Sequence, residues 1–309
     1  MTALRSLVLA LVLTPALTVA QLPRTQIVML GTGTPIPDPD RGGPAVAIVV
    51  DSIAYLFDAG VGAVRRASAA GRNGIVAFAP RIASAQSQFS PRFDRVFITH
   101  LHSDHTLGLA DVIFTPWIQG RRAPFDIYGP PGISRLVNGI LDGNAEDIAE
   151  RLSSHGGPSP NGVKVMVHDV AEGLVFQDAR VTVTAFAVPH AGWKYAFGYR
   201  VQTPDKLIVL SGDTRAAGAI AAQCRGCDVL LHEVYSDAGF ARLAVERQAY
   251  HAQAHTSATQ LGDIATQAGP KLLILYHQLF FGSSDDQLLA EVRSKFAGRV
   301  VSAKDLDVY

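Results

Sequence analysis

The chain has 309 residues, of which 48% are hydrophobic and 17% are charged. This composition is typical of a folded protein with a large core, and it excludes a disordered chain. The 27 basic residues balance 27 acidic residues, so the sequence lacks the basic excess that general nucleic-acid binders carry. A neutral enzyme surface is the plain interpretation of this balance.

The first twenty residues have the three parts of an export signal. Arg5 supplies a positive charge, residues 7–13 form a short apolar core, and residues 18–20 (Thr-Val-Ala) precede a cleavage point. We therefore predict a signal peptide over residues 1–20 and a single domain over 21–309 that is exported, either to the periplasm or as a secreted protein. An uncleaved anchor is the alternative, although the apolar core is short for a membrane span. No later segment is long and apolar enough to cross a bilayer, so no stable membrane insertion is expected.

Beyond residue 20, short apolar runs bounded by Gly, Pro and Asp predict β-strands, and segments with helical periodicity lie between them. Strand runs followed by helices occur twice over, which predicts an α/β fold of two stacked sheets covered by helices. The predicted strands span residues 26–30, 45–50, 54–58, 95–98, 180–188, 197–203, 206–210, 229–232 and 272–276. The predicted helices span residues 60–70, 134–141, 216–223, 241–250, 257–268 and 285–296.

The segments between these elements carry further predictions. Thr256 is the predicted N-cap of the fifth helix, and Ser283 or Ser284 that of the sixth. Two polar stretches, residues 79–92 and 153–162, are predicted to be long loops. Long ordered loops often shape a binding site, although a plain surface excursion explains each equally well.

The two cysteines, Cys224 and Cys227, are separated by Arg-Gly. At this spacing a pair can form a redox couple, a local disulfide or half of a metal site. A Cys-only structural zinc site would need a second pair, which the sequence lacks. A local staple or two inert thiols is the favoured interpretation, and the sequence leaves open whether the pair is bonded.

Four potential metal ligands lie within six residues at the end of the predicted strand 95–98. The motif is His100-Leu101-His102-Ser103-Asp104-His105. In an extended turn alternate residues point to the same side, so His100 and His102 can converge on one ion, while Asp104 and His105 turn toward a neighbouring position. Imidazole and carboxylate are the groups that zinc binds in open catalytic sites, so a metal site explains the motif better than packing does.

This motif resembles the His-x-His-x-Asp-His signature of the metallo-β-lactamase superfamily, and the resemblance extends over nearly the whole mature chain. It implies an αββα sandwich of two mixed β-sheets flanked by helices. Three later residues that could singly be structural follow predicted strands in the family's order. By position, the resemblance implies one metal held by His100, His102 and His190, a second held by Asp104, His105 and His277, and Asp213 bridging the two. The expected cofactors are therefore two divalent ions, with zinc the expected metal.

Four short motifs narrow the resemblance to ribonuclease Z and its relatives, a group that includes exported arylsulfatases and phosphodiesterases. They are Gly31-Thr32-Gly33-Thr34-Pro35, Phe197-Gly198-Tyr199-Arg200, His232-Glu233-Val234-Tyr235 and His255-Thr256-Ser257-Ala258. The transfer-RNA nucleases of this group carry a protruding basic arm, whereas the corresponding region here has no dense basic run and its residues 141–148 include three acidic side chains. Because RNA binding depends on phosphate neutralisation, nucleic acid is not expected as a partner.

These features predict an exported dinuclear-metal hydrolase of sulfate or phosphate esters, with a metal-bridging hydroxide as nucleophile. The expected substrate is a small anionic ester, and which ester it is stays open. Asp104 is expected both to bind metal and to orient the nucleophile. His255 is the candidate proton donor to the leaving group, oriented by Glu233. A purely structural hydrogen bond between His255 and Glu233 is the alternative.

Several other side chains are weaker candidates. Trp193, Tyr195 and Phe197 could form an aromatic wall for an aryl group, although alternating aromatics in a strand more often belong to a core. His232 is a candidate for holding a ligand or a loop. Arg41 could contact an anion, but a surface position is the usual explanation for such a residue.

Three other functions remain compatible with parts of this pattern. A lactonase or other carbonyl-ester hydrolase would keep the fold and the metals, whereas the common zinc β-lactamases lack the last histidine of the motif. An oxygen- or nitric-oxide-reducing di-iron domain would carry Glu in place of His102 and a flavin domain. A non-catalytic metal-binding protein would not require the His255 and Glu233 pair. The sequence leaves the native metal and the oligomeric state open, and a homo-oligomer is possible.

Overall fold

Two β-sheets lie face to face between layers of helices in the computed structural model, which describes residues 24–79 and 93–309. The predicted signal peptide and almost all of the predicted loop over 79–92 lie outside these residues. The first sheet has the order β1 (Thr25–Gly31), β2 (Ala45–Val50), β3 (Ile53–Phe57), β4 (Phe93–Phe97), β5 (Phe125–Gly129), β6 (Val165–Asp169). The second has the order β13 (Val300–Ser302), β12 (Leu272–Leu279), β11 (Val229–Tyr235), β10 (Leu207–Leu210), β9 (Phe197–Gln202), β8 (Thr182–Ala187), β7 (Gly173–Gln177).

Both sheets are mixed. Strands β1 to β3 are antiparallel and β3 to β6 parallel, and likewise β7 to β10 are antiparallel and β10 to β13 parallel. The helices are α1 (Ala63–Arg72), α2 (Ser103–Thr106), α3 (Leu109–Ile118), α4 (Ile133–Gly143), α5 (Ala145–Ser153), α6 (Gly218–Cys224), α7 (Asp237–Phe240), α8 (Val245–Ala254), α9 (Ala258–Ala268) and α10 (Asp285–Arg293), with a 3₁₀ helix at Val76–Phe78. The predicted αββα sandwich is therefore confirmed.

The central strands are buried on both faces, which explains their continuous apolar runs. In β1, Ile27 and Met29 point into the core between the sheets, whereas Val28 and Leu30 pack under the helices of the first sheet. On the far side of the sandwich, the outer face of the second sheet packs against α6, α9 and α10. Three apolar cores thus hold four layers together.

The structure contains all nine predicted strands; β2 has the predicted bounds, and the other eight have shifted ends. Strands β5, β6, β7 and β13 were not predicted. The strands β6 and β7 lie at sheet edges and have no fully buried residue, so their sequences lack a clear apolar period. The helices α2, α3 and α5 were also missed. Pro116 lies inside α3 and interrupts its helical pattern, since proline is normally excluded from helix interiors.

Three local predictions are corrected or resolved. The helix predicted over 241–250 is wrong in its bounds, because a break separates α7 from α8. Ser257, not Thr256, caps α9, whereas the alternative of Ser284 is correct for α10; both serines complete capping boxes.

Cys224 and Cys227 form a disulfide and both are buried, which favours a local staple at the end of α6. No helix among the described residues meets the length and apolarity that a membrane crossing requires.

A close backbone contact fixes the short helix α2 against the end of β3. The amide of Gly108 donates to the carbonyl of Ala59 over 2.8 Å. A Cβ atom at Gly108 would come within 2.3 Å of the Gly60 carbonyl oxygen, so only glycine permits this approach.

We expect Gly108→Ala to lower the free energy of unfolding by about 1–3 kcal/mol, the usual cost of overpacking. Gly139→Ala is the matched control, because nothing lies within 4 Å of its added Cβ. The control should be neutral or stabilising by about 0.5–1 kcal/mol, since alanine favours a helix interior. Urea denaturation of both variants measures this, and equal stabilities would contradict the packing argument.

Candidate metal centre

The histidine and aspartate side chains singled out in the sequence come together where strands of both sheets end. His100 and His102 lie in the segment that follows β4, and Asp104 and His105 belong to α2. His190 follows β8 and Asp213 follows β10, each by three residues. Only short segments join these residues to the strands before them, so the strands position the side chains.

An irregularity within β12 brings His277 to the cluster. In the pairing of β11 with β12, Glu233 lies opposite Tyr276 and Val234 lies opposite Gln278. His277 is therefore the extra residue of a β-bulge, and its φ of 47° lies in the left-handed region. A bulge re-aims a side chain relative to the regular pleat, and here it brings the imidazole to Asp104 and Asp213.

One group of ligand atoms centres on His102. Its Nδ1 lies 3.0 Å from Nε2 of His100 and 3.1 Å from Nε2 of His190. Asp213 Oδ2 is 3.9 Å from the His100 nitrogen and 4.0 Å from the His190 nitrogen. The four ligand atoms thus lie within 4.8 Å of one another, and four is the number of ligands in a tetrahedral zinc site.

A second group lies on the other side of Asp213. His277 Nε2 is 3.1 Å from Asp104 Oδ2 and 3.5 Å from Asp213 Oδ2. His105 Nε2 is 3.6 Å from Asp104 Oδ2 and 3.4 Å from Asp213 Oδ1. The carboxylate of Asp213 reaches both groups, which is the arrangement that a bridging ligand needs.

The unsatisfied polar atoms of the cluster fit divalent cations. Among the described residues, His105 Nε2 and Asp213 Oδ1 are buried and have no hydrogen-bond partner. Buried polar atoms are almost always paired, because desolvating them without a partner is costly. Two cations would be bound by three imidazole nitrogens on one side, two imidazoles and a carboxylate on the other, and the carboxylate of Asp213 between them. The ligand roles of the seven residues remain predictions.

Residues behind the cluster orient the histidine rings. Asp58 Oδ2 lies 2.8 Å from His105 Nδ1, and Asp58 also accepts from the amide and hydroxyl of Thr99. The Thr99 hydroxyl lies 3.0 Å from His100 Nδ1, and the Ala254 carbonyl oxygen lies 2.6 Å from His190 Nδ1. Such partners fix which ring nitrogen faces a metal. Sequence reasoning missed Asp58, although an acidic residue that ends an apolar strand was the available signal.

Burial and charge prepare these groups for metal binding. Burial lowers the pKa of His102 to about 4 and that of His100 well below its usual value, so both rings are neutral at physiological pH. Burial raises the pKa of Asp213, but His277 and His105 outweigh it and hold that pKa well below the usual value. Burial lowers the pKa of His105 and His277 as well, but the carboxylate of Asp213 outweighs it and raises both pKa values. A divalent cation would therefore replace the protons on these two rings, because it binds only the neutral imidazole.

His255 and Glu233, the predicted proton-donor pair, lie against this cluster. His255 ends α8, and its Nδ1 is 3.3 Å from Glu233 Oε2. Glu233 Oε1 accepts from the amides of Thr214 and Thr256, which fixes the carboxyl group. His255 Nδ1 is also 3.9 Å from Asp213 Oδ2, and His255, Asp213 and His277 form a further group at metal-binding distances. Geometry alone therefore permits a ligand role for His255 as well.

The weaker candidates from the sequence lie in different environments. Trp193 borders the cluster and donates from its indole Nε1 to His102 Nε2 over 2.7 Å, but Phe197 is buried between the sheets, so the aromatic-wall hypothesis is wrong for Phe197. His232 is buried, and its Nδ1 lies 2.6 Å from the carbonyl oxygen of Glu233. Arg41 is not a free surface residue, because its guanidinium hydrogen bonds to Thr32 and Gln278.

Comparison with known proteins identifies the family. Residues 54–278 match the β-lactamase superfamily domain. The chain belongs to the metallo-β-lactamase superfamily. Ribonuclease Z of Mycobacterium bovis is 29% identical over 289 residues, which cover 91% of this chain and 96% of that protein. Ribonuclease Z of Mycobacterium sp. (strain KMS) is 31% identical over 261 residues, covering 82% and 84%.

Solved structures agree with this assignment of the fold. The metallo-β-lactamase fold protein YhfI from Bacillus subtilis superposes with a TM-score of 0.66 at 16% identity, over 92% of this chain and 99% of that one. Human tRNase Z, short form, gives a TM-score of 0.61 at 23% identity, over 92% and 98%. A diphosphatase from the PhnP family gives 0.58 at 18% identity, over 93% and 97%. The predicted resemblance is confirmed, and this metallo-β-lactamase-fold protein is a hydrolase of the superfamily.

Because Asp213 lies between the two groups of ligand atoms, its removal should weaken metal binding at both positions. We expect the purified chain to bind about two divalent ions, as two-metal hydrolases do. Asp213→Ala should lower the occupancy of both positions, because both lose a ligand. Elemental analysis measures the metal content, with Asp263→Ala on the exposed face of α9 as the control. Full occupancy in Asp213→Ala would refute the bridging assignment.

The contact between Trp193 and His102 predicts an optical signal. A neutral imidazole that binds an ion through Nδ1 carries its proton on Nε2 and cannot accept the indole hydrogen bond. Zinc added to the metal-free protein should therefore change the fluorescence of Trp193, which is 36% exposed. The other tryptophan, Trp117, is fully buried in the first-sheet core.

The Trp193→Phe variant is the control for this titration. Trp117 should report little or no change in that variant. A fluorescence change of equal size in the variant and the wild type would show that the signal does not come from Trp193.

Proposed function

We propose that this protein is an exported, dinuclear metal-dependent hydrolase of phosphate or sulfate esters. The observation that carries the proposal is the placement of the buried His255 and Glu233 pair beside the seven candidate ligands. A metal-storage protein has no use for a proton donor at this position. An ester with a poor leaving group needs one, because the leaving oxygen must be protonated as its bond breaks.

Each residue has a chemical task in this proposal. Bound cations would supply Lewis acidity for the attacking water and offset the negative charge that develops on the ester. The carboxylate of Asp104 is nearly buried and lies 3.1 Å from His277, so it can accept a hydrogen bond from the attacking water and orient it. Nδ1 of His255 faces Glu233, which leaves Nε2 as the atom that can donate to the leaving oxygen.

Ribonuclease activity is the second candidate, since the relatives of Mycobacterium bovis and of strain KMS are named ribonuclease Z. These relatives count against the expectation that nucleic acid is not a partner. The charge of α4 and α5 supports a small ester instead. Their four acidic and two basic side chains give a net charge of −2 (2 − 4), and α5 has no buried residue. An exposed acidic surface repels a phosphate backbone.

A carbonyl-ester hydrolase such as a lactonase remains the alternative on the same fold. It would attack a planar carbonyl and release an alkoxide within the same molecule. The substrate comparison below separates it from a phosphate or sulfate esterase.

Export is part of the proposal and rests on Arg5, the apolar residues 7–13 and the small residues up to Ala20. Intact-mass measurement of protein recovered from the periplasm or medium is the test. Loss of the first twenty residues is the expected result. A full-length chain in the membrane fraction would support the anchor instead.

A substrate comparison with the purified, metal-loaded protein tests the main proposal. It should include 4-nitrophenyl sulfate, 4-nitrophenyl phosphate, bis(4-nitrophenyl) phosphate, a lactone, a β-lactam and a precursor transfer RNA. We expect turnover of a phosphate or sulfate ester that is lost on chelation. Turnover of the RNA alone, or of the lactone alone, would replace the proposal with the corresponding alternative.

The role of His255 makes a specific prediction. His255→Ala should keep its metal content and lose about 10²–10⁴ in rate on esters with poor leaving groups, the usual contribution of general acid catalysis. The loss should shrink as the leaving group becomes more acidic, because an activated aryloxide departs without a proton.

Rates over a series of aryl esters with graded leaving-group pKa measure this trend. His168→Ala is the control, because His168 pairs with Asp126 outside the cluster. A loss that is uniform over the series would assign His255 to substrate positioning. Loss of metal would assign it to the ligand set.

A further inference from the structure

A groove of about 500 Å³ opens directly beside Asp104. This volume lies within the range of small-molecule sites. Asp104 belongs both to the groove wall and to the candidate metal centre, so a molecule in the groove can extend to the centre. We call this cavity the Asp104 groove. Its apolar wall includes Pro35, Ile36, Pro37, Val61 and Leu107, and the charged side chains that line it besides Asp104 are Asp38 and Arg41.

The wall exposes apolar side chains that come from three separate segments. Ile36 is 60% exposed, Val61 57% and Leu107 64%. They lie in the loop after β1, in the turn before α1 and at the end of α2. Single exposed apolar residues are ordinary, but several that converge on one concave surface mark a binding site.

The loop that carries Pro35, Ile36 and Pro37 is anchored by hydrogen bonds at both ends. Asp305 accepts from the amide and hydroxyl of Thr32 and from the amide of Gly42, which anchors both ends of the loop. Arg41 joins the same loop to Gln278, the neighbour of His277. An anchored loop loses less entropy when a ligand binds to it.

The groove meets the candidate centre at Asp104, whereas the candidate proton donor meets it at Asp213. Neither His255 nor Glu233 contributes to the groove wall, and His255 lies instead against Glu233 and Asp213. The group that His255 protonates is the leaving group. The substituent that enters the Asp104 groove is therefore the one that stays on the ester.

We propose that the Asp104 groove binds an apolar aryl or branched-alkyl substituent that remains attached to phosphorus, so that phosphodiesters with such a substituent are preferred over those without one. The proposal rests on the function proposed above and narrows it. A sulfate monoester or a phosphate monoester has no second substituent, so neither can use the groove. The reaction would release one alcohol and leave an apolar phosphate monoester.

Two esters with one leaving group test this directly. Methyl 4-nitrophenyl phosphate and phenyl 4-nitrophenyl phosphate release the same aryloxide and differ only in the retained group. We expect kcat/KM to be about 10-fold or more higher for the phenyl ester, since even one methylene in an apolar pocket changes it by about 10–200-fold. Most of the preference should appear in KM.

Surface variants identify where the preference arises. Leu107→Ser and Val61→Ser should each reduce the phenyl preference several-fold, while turnover of the methyl ester changes little. Leu174→Ser is the matched control, because Leu174 is equally exposed at 64% but lies on β7. It should keep the full preference.

The outcomes separate this inference from the function on which it rests. Equal kcat/KM for the two esters, or an unchanged preference in both groove variants, would overturn the inference alone. If the metal-loaded protein turned over neither diester, both the inference and the phosphodiester chemistry that it assumes would be refuted. Turnover of a sulfate ester in the same sample would then still support the broader proposed function.

Discussion

The buried carboxylate of Asp213 is the constraint on which the rest of this structure depends. It is 2% exposed, and nitrogen atoms of five histidines lie within 4.0 Å of it. An isolated ionised carboxylate in such a place would cost several kcal/mol. Burial lowers the pKa of His100, His190 and His255, whereas the carboxylate of Asp213 raises the pKa of His105 and His277 despite their burial. Divalent cations would offset the negative charge of the carboxylate and accept the lone pairs of the imidazoles.

This arrangement requires both sheets to be in place. The first sheet supplies the ligands that follow β4, and the second supplies those that follow β8 and β10 and the one within β12. Aromatic packing beneath the site joins the two: Phe57 stacks on Phe97 with ring centroids 5.0 Å apart, and both rings contact Tyr199. The Tyr199 hydroxyl donates to the Ile98 carbonyl, two residues before His100. The apolar core therefore sets the distance between the two halves of the site.

The sequence was most informative where a short segment holds several chemical groups. The motif from His100 to His105 indicated both the site and the family, and the central strands were visible because burial on both faces makes them continuously apolar. The edge strands β6 and β7 were not visible, since half-exposed strands have mixed composition. The roles of Arg41 and Gln278 depend on contacts between residues far apart in the chain. No local pattern encodes such contacts.

The same limit applies to the substrate surface. Ile36, Val61 and Leu107 are unremarkable as separate residues, and only the fold brings them to one groove beside Asp104. The likeness to solved structures at 16–23% identity extends to the fold alone. Substrate specificity in this superfamily therefore depends on the surfaces that surround a shared centre.

The bulge at His277 shows that fold stability and chemistry favour different residues at one position. A left-handed backbone costs a non-glycine residue roughly 1–2 kcal/mol, and glycine would avoid that cost. Glycine would also remove the imidazole that meets Asp104 and Asp213. Selection for thermal stability alone would favour glycine at this position, and the imidazole needed for the chemistry would be lost. Stabilising this scaffold for other uses thus requires His277 to be held fixed while the surrounding strands are optimised.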